Sequence, residues 1–139
     1  MCVDRVAGSF PIRANYLDLG SRRPLGIGAA AMAMLAWQSD AEIEAILPLV
    51  APRLSNFPKI DTPWLKAEIR GARERGYTLF LDMLVDKMGG VGVPILGADG
   101  RPIGALSIAA LSERISSRLN ELVEMMQREA KIIANPKRA

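Results

Sequence analysis

A long apolar hairpin constrains the fold of this chain more than any other feature of its sequence. Two β-type runs in GVGVPILGADGRPIGALSIAAL flank the dipeptide Asp99-Gly100, which favours a tight antiparallel turn. Because both runs are apolar for most of their length, we expect both faces of both strands to be covered or nearly so. The hairpin therefore predicts a pair of strands that are buried on both sides.

Three more stretches are typical of β-strands. YTLFL, residues 77–81, precedes the hairpin, and residues 2–8 (CVDRVAG) and 11–20 (PIRANYLDLG) are predicted to form a further antiparallel pair. Helical segments separate this pair from the later strands, which gives the order β-β-α-α-α-β-β-β-α. Hairpins take the place of βαβ crossovers in this order, which favours an α+β domain built on an antiparallel sheet.

Capping signals mark the first of the well-defined helices. Ser39 is expected to accept a hydrogen bond from the Glu42 amide while the Glu42 side chain reaches back to the cap. Pro48 should bend or end the helix that follows, and Pro52 should stop it.

Two later helices have signals of their own. Thr62 is the predicted N-cap of the first, with Pro63 at its first position and Gly76 as its C-terminal cap. The last helix is expected to begin near Ser116 or Ser117. Its buried face is predicted to contain Leu119, Leu122, Val123, Met126, Ala130 and Ile133.

Length and composition favour a single globular domain. The 139 residues are 50% apolar and 24% charged, which is ordinary for a folded protein and excludes a disordered chain. The longest apolar run, residues 25–37, is shorter than the about 20 residues that span a bilayer. The N-terminus shows no secretory signal, and the single cysteine, Cys2, cannot form an internal disulfide. Both features fit a cytoplasmic protein without membrane contact.

The absence of histidine excludes several kinds of functional site. Without His and with one Cys, the chain cannot form a zinc site or a Ser–His or Cys–His catalytic pair. Asp82, Asp86 and Lys87 on one short loop are the only candidates for an acid–base pair. We therefore expect no enzyme, no metal ion and no cofactor. The net charge of +3 is dispersed, so the chain lacks the dense basic stripe of a nucleic-acid surface.

The segment GIGAAAMA, residues 26–33, consists of small residues apart from Ile27 and Met32. Small residues allow close contact between a helix and a sheet, or they leave a pocket unfilled. In the second case, a helix that begins near Gly28 offers its free first amides to the carboxylate of a ligand in an enclosed hollow. The residues alone leave both alternatives open.

Several stretches carry a resemblance to a known family. DRVAGSFPIR, LGSRRPLGIGAAAMAMLA, RERGYTL and VGVPILGADGRPIGALSIAALSERIS are followed by an amphipathic helix and together cover nearly the whole chain. In this order and spacing they resemble the effector-binding domain of IclR-type transcriptional regulators. The resemblance implies a GAF-like fold, in which an antiparallel sheet has helices on both sides and one face forms a small-molecule pocket.

The resemblance also implies a domain organisation and partners. Residues 1–139 would be a single effector-binding domain, incomplete on its N-terminal side because the first helix and strand of the family's domain are missing. A small organic acid is the expected effector, and a homodimer or homotetramer is the expected assembly. Contact with DNA would come only through the family's winged-helix domain, which lies outside these 139 residues.

Candidate ligand-binding residues follow from the positions that match the family's pocket. Ser107 corresponds to a pocket hydroxyl, and Ala109 replaces what is often a second one. Met88 would form an apolar wall, while Gly90 replaces bulkier residues and implies a roomier pocket. The full candidate set is Ala29, Ala30, Asp82, Met88, Gly90, Ser107 and Ala109.

A different interpretation of the same resemblance is a structural remnant that senses nothing. Such a remnant would keep only the contacts between copies of the chain, because an incomplete sheet exposes an edge strand that can pair with another copy.

Overall fold

The helices and strands form in the order that the capping and hairpin signals predict for most of the chain. The computed structural model describes residues 1–12 and 17–138. The regular elements in chain order are α1 (Ala29–Ala36), α2 (Asp40–Val50), α3 (Thr62–Arg75), β1 (Thr78–Leu81), β2 (Met88–Leu96), β3 (Pro102–Leu111), α4 (Ser112–Ser117) and α5 (Leu119–Ala134). Short 3₁₀ segments follow α2 at Ala51–Asn56 and α5 at Pro136–Arg138.

The three strands form one antiparallel sheet in the order β1-β2-β3. Thr78 of β1 and Ser107 of β3 both lie opposite Gly92 of β2, so these three positions share one face of the sheet. The Gly97 amide donates to the Arg101 carbonyl at 2.8 Å and closes the turn between β2 and β3. The predicted hairpin is confirmed, and so is the strand before it.

Helices cover the sheet on both sides. On one face, α1, α2 and α3 enclose a core that includes Phe80 of β1. On the other face, α4 and α5 cover Val91, Val93 and Ile95 of β2. The α+β class, with an antiparallel sheet between helical layers, is therefore confirmed. Among the described residues, no helix has the length and apolar character needed to cross a membrane.

Only one of the two hydrogen bonds of the predicted capping box forms at the start of α2. The Ser39 hydroxyl accepts from the Glu42 amide at 3.2 Å, as expected. The Glu42 carboxylate, however, accepts from the guanidinium of Arg101 in the hairpin turn. The helix also continues through Pro48 as far as Val50, and Pro52 lies in the 3₁₀ segment that follows.

The N-cap of α3 is Asp61, and the prediction of Thr62 was wrong by one residue. Asp61 Oδ1 accepts from the Trp64 amide at 2.8 Å, while Thr62 is the first helical residue. A carboxylate is favoured here because it also interacts with the positive end of the helix dipole. Gly76 ends α3 in the left-handed conformation, as predicted.

The last helical region is divided in two, whereas one helix was predicted. Arg118 has a non-helical backbone between α4 and α5. The Ser117 hydroxyl donates to the Arg114 carbonyl at 3.3 Å, a local bond of the kind that competes with helix continuation. Leu122, Val123, Met126 and Ala130 are buried as expected. Ile133 is half exposed, because it lies in the last turn beyond Ala130, the last buried residue of α5.

The predicted strand pair at the N-terminus is not formed in the described residues 1–12 and 17–20, and residues 13–16 of this prediction lie outside them. Two backbone hydrogen bonds join Cys2 to Gly20 and Ser21, at 2.8 and 2.9 Å. Val3 and Val6 are almost fully exposed, so the segment buries no apolar face. A pair of strands without a third neighbour or a covering layer has little stability of its own.

The expectation that both strands of the hairpin are covered on both faces holds for β2 and fails for β3. Every residue of β2 between Gly89 and Ile95 is buried. On β3 the face toward α1 is partly open, because Ser107 and Ala109 are exposed. Ile103, which is 66% exposed, lies at a register shift between β2 and β3. The cause is the position of β3 at the border of the sheet, where α1 covers only part of its width.

Candidate functional site

The N-terminus of α1 has no capping side chain. The helix begins after Gly28, whose φ of 97° is in the region that favours glycine, and its first turn contains no acidic residue. The first amides of a helix have no acceptor within the helix and carry partial positive charge. The start of α1 is therefore suited to an anionic group wherever such a group can reach it.

The small residues of α1 and β2 bring the helix unusually close to the sheet. A Cβ atom added to Gly92 would lie 2.5 Å from the carbonyl oxygen of Ala29, and one added to Gly90 would lie 3.3 Å from the Ala29 Cβ. A Cβ on Gly26 would be 3.1 Å from side-chain atoms of both Leu35 and Leu65. Close packing, one of the two open alternatives, is therefore the role of Gly26 and Ala29.

A buried threonine, which the sequence analysis did not single out, fixes this contact. Thr78 is fully buried, and its hydroxyl donates to the Ala29 carbonyl at 2.7 Å. The bond joins the first turn of α1 to β1, the strand farthest from β3. The signal in the sequence was one hydroxyl within the otherwise apolar stretch TLFL.

Five of the seven candidate residues lie on or beside the sheet face that α1 covers. Gly90 is opposite Ala109, and Ser107 is opposite Gly92, the residue against which Ala29 packs. Ala30, next to Ala29 in the first turn of α1, is half-buried. The exposed hydroxyl of Ser107 and the exposed methyl of Ala109 thus lie on β3, next to β2, the strand against which Ala29 packs.

Asp82 and Met88 lie at the end of this face, where β1 turns into β2. The Asp82 amide donates to the Met88 carbonyl at 3.0 Å, and Asp82 has a left-handed backbone with φ of 58°. Its carboxylate accepts from the Ser112 hydroxyl at 2.8 Å, and its carbonyl accepts from the Lys59 ammonium at 2.6 Å. The Asp82 side chain is therefore directed to the start of α4.

The loop after β1 also contains the residues considered for acid–base chemistry. Asp86 pairs with Lys59 at 2.8 Å, and this hydrogen bond holds the pKa of the Asp86 carboxyl below its usual value. Asp82 is bonded to Ser112, so each carboxylate already has its own partner. Across residues 1–12 and 17–138, no three His, Cys, Asp or Glu side chains gather as a metal site would require.

Two hollows among the described residues are lined by none of the candidate ligand residues. One of about 280 Å³ lies beside Phe57, Lys59 and Leu84, and one of about 170 Å³ lies between α2 and α3 at Leu47 and Lys66. A Cβ on Gly28 would be 3.8 Å from the side chain of Leu84, so this leucine stands beside the helix start. Because Ser107 and Ala109 are exposed, the site next to α1 is an open face of the sheet in the described residues, and an enclosed hollow there stays a prediction.

Comparison with known proteins places the chain in a family. The family model for the bacterial transcriptional regulator IclR C-terminal domain matches residues 1–135. The chain belongs to the IclR C-terminal domain family. The family that the sequence motifs predicted is therefore confirmed. No curated protein matches the chain.

Solved structures of regulators have the same fold as this IclR C-terminal domain. The C-terminal domain of Escherichia coli KdgR is 27% identical with a TM-score of 0.72, and the match covers 84% of this chain and 72% of that domain. Thermotoga maritima IclR is 24% identical with a TM-score of 0.78, over 93% of this chain and 52% of that one. The Agrobacterium tumefaciens repressor BlcR is 18% identical with a TM-score of 0.74, over 88% and 51%. This chain therefore spans about half of the longer regulators that it matches.

Proposed function

We propose that this IclR C-terminal domain senses a small organic acid and transmits its binding through contacts with other copies of the chain. The observation that carries the proposal is the exposed pair Ser107 and Ala109 on the sheet face that holds the uncapped start of α1. The ligand would lie on β3, with its carboxylate toward the amides of α1 and a polar group near the Ser107 hydroxyl.

The contact between Thr78 and Ala29 provides a way for the ligand to act on the rest of the domain. A ligand that bridges β3 and α1 would favour one position of the helix on the sheet, and α1 packs against α3 as well as against the strands. Binding then shifts the population of domain conformations toward the one that the ligand fits best.

The assembly, the contact with DNA and the location in the cell are proposed from the family. A homodimer or homotetramer would carry the signal to a winged-helix domain, the only part expected to contact DNA. The domain itself would act in the cytoplasm, without catalysis and without a membrane partner. The organic acid, the assembly and the absence of enzymatic activity are all parts of this proposal.

Isothermal titration with a panel of small carboxylates tests the sensing function. Replacement of Ala109 by Asp places a negative charge on the proposed site, and we expect at least tenfold weaker binding, about 1.4 kcal/mol. The matched control is Ala98→Asp, which adds the same charge at the exposed hairpin turn and should leave affinity unchanged. Ser107→Ala should weaken binding several-fold by removing a hydrogen bond of about 1 kcal/mol.

The alternative function is a structural remnant, which associates with other copies and senses nothing. The open sheet edge would favour this interpretation if no ligand binds. In that case the panel gives no heat and no rise in melting temperature for any acid, while the chain still associates with itself. That combination would contradict sensing. Equal weakening by Ala98→Asp and Ala109→Asp would instead show that any binding is unspecific attraction to the positive chain.

A further inference from the structure

The C-terminal end of α1 is buried, and an arginine of another helix binds it. Ala36, the last residue of α1, is fully buried, so water cannot reach its carbonyl group. The last carbonyl groups of a helix have no donor within the helix itself. Arg73 of α3 donates from its Nε atom to the Ala36 carbonyl at 2.5 Å. A charged donor thus supplies the partner that this buried carbonyl group needs.

Arg73 also binds the chain that follows α1. Its Nη2 atom donates to the Gln38 carbonyl at 2.6 Å, and its Nη1 atom donates to Asp40 Oδ1 at 2.8 Å, at the start of α2. The donors of a guanidinium form a rigid planar fork, so the three bonds restrict one another's geometry. The turn between α1 and α2 is therefore bound to the last turn of α3.

The opposite end of α1 is bound by Thr78, five residues after Arg73. The Thr78 hydroxyl donates to the carbonyl of Ala29, the first residue of α1, at 2.7 Å. Seven residue steps along the helix place Ala29 and Ala36 about 10 Å apart. The α3–β1 junction, which we define as residues 73–78, therefore binds both ends of one short helix.

The α3–β1 junction is itself fixed to the rest of the protein. Ala72, next to Arg73, is fully buried in the core between the helices. The Gly76 amide donates to the Ala72 carbonyl at 2.8 Å and ends α3. Thr78 is fully buried and lies opposite Gly92 in the sheet. The two residues that bind α1 are therefore held at a fixed separation.

We infer that Arg73 is a positioning residue for the proposed ligand site, and that it acts through α1 without touching the ligand. The ligand carboxylate would bind the uncapped start of α1, while Arg73 holds the far end of the same helix. Because a helix of two turns moves as one body, fixing its far end also fixes the direction of the amides at its start. This inference rests on the proposed function and names a residue that controls the same site from outside it.

Residual dipolar couplings of ¹⁵N-labelled protein test this positioning without any ligand, because they report the direction of each N–H bond in the folded state. Arg73→Gln removes the guanidinium, and we expect the couplings of residues 29–36 to show a reoriented helix while those of α5 still fit the structure. A mere loss of stability would leave both sets unchanged. Arg70→Gln, the same charge change on the exposed face of α3, is the matched control and should leave α1 in place.

A second variant covers the case that Arg73→Gln does not fold. Arg73→Lys keeps the positive charge but has one donor nitrogen in place of three, so it should reorient α1 to a smaller extent.

Titration with acetate, succinate and benzoate connects the position of α1 to the site. Arg73→Gln should weaken the binding of each acid several-fold, and Arg70→Gln should not. Unchanged couplings in both Arg73 variants would overturn the inference whether or not an acid binds, and so would a reoriented helix with unchanged affinity. If none of the three acids binds the wild type, the proposed function fails, while the couplings still decide whether Arg73 positions α1.

Discussion

At the scale of single residues, the contact between Gly92 and Ala29 determines how α1 lies on the sheet. The helix approaches so closely that the position of a Cβ atom on Gly92 is already occupied by the Ala29 carbonyl and the Thr78 hydroxyl, at 2.5 and 2.7 Å. Both obstacles are parts of the hydrogen bond between Thr78 and Ala29. Adding one methyl group here would therefore separate the two layers and break that bond.

Replacement of Gly92 by Ala is expected to lower the free energy of unfolding by about 1–3 kcal/mol, because the backbone of α1 must move. Chemical denaturation monitored by circular dichroism measures the change. The matched control is Gly104→Ala on the paired strand, where the new Cβ would meet only the Ile95 side chain, with Cδ1 at 3.3 Å and Cβ at 3.9 Å, and no backbone atom. An equal loss in the two variants would contradict the assigned role of Gly92.

The sequence could predict which residues are small, but not what the small residues contact. The stretch after Pro24 indicated either packing or a pocket, and the choice depends on Thr78 and Gly92, which lie 49 and 63 residues after Ala29 in the chain. No local pattern reports such a distant partner. The same limit explains why the position of Leu84 beside Gly28 was not foreseen.

At the scale of elements, an ion pair ties the hairpin to the helical layer. Arg101 in the turn between β2 and β3 binds Glu42 in the first turn of α2. The hydrogen bond from the Arg101 guanidinium lowers the pKa of the Glu42 carboxyl below its usual value of 4.5. A carboxyl with a lowered pKa in the folded state adds stability above its unfolded pKa, and this contribution is lost as the pH falls through the folded value.

Replacement of Arg101 by Gln should therefore reduce stability at pH 7 and have less effect as the pH falls through the folded pKa of Glu42, where the carboxyl becomes protonated. Urea denaturation at a series of pH values measures the difference, which should also shrink in 1 M salt because both groups are partly exposed. Arg70→Gln, an equal charge change on the exposed face of α3, is the control. A difference in stability between wild type and Arg101→Gln that did not shrink as the pH was lowered from 7 would contradict this account.

Elements defined by local signals were predicted well, and elements defined by their neighbours were not. The hairpin follows from Asp99-Gly100, and the ends of α2 and α3 follow from Ser39 and Gly76, because each signal acts within a few residues. The strand pair at the N-terminus had an equally suitable pattern. It lacks a third strand and a covering layer in the described structure, and its residues alone could not reveal this.

At the scale of the whole molecule, the two borders of the sheet differ in the described residues. The Leu79 amide of β1 is bound by Glu68 of α3, whereas β3 has no strand on its outer side and part of one face exposed. Ser107 and Ala109, two of the candidate ligand residues, lie on this open side. If the ligand and a second copy both bind, each would alter the affinity of the domain for the other by the same factor.

The proposed association would also make the thermal stability of this protein depend on its concentration. If copies of the domain associate, folding and association share one equilibrium, and each tenfold dilution removes about 1.4 kcal/mol per dimer. The melting temperature should therefore rise between 5 and 500 μM protein, roughly in proportion to the logarithm of concentration. Calorimetry at several dilutions measures this slope. Melting temperatures of this domain should therefore be compared only between samples of the same protein concentration.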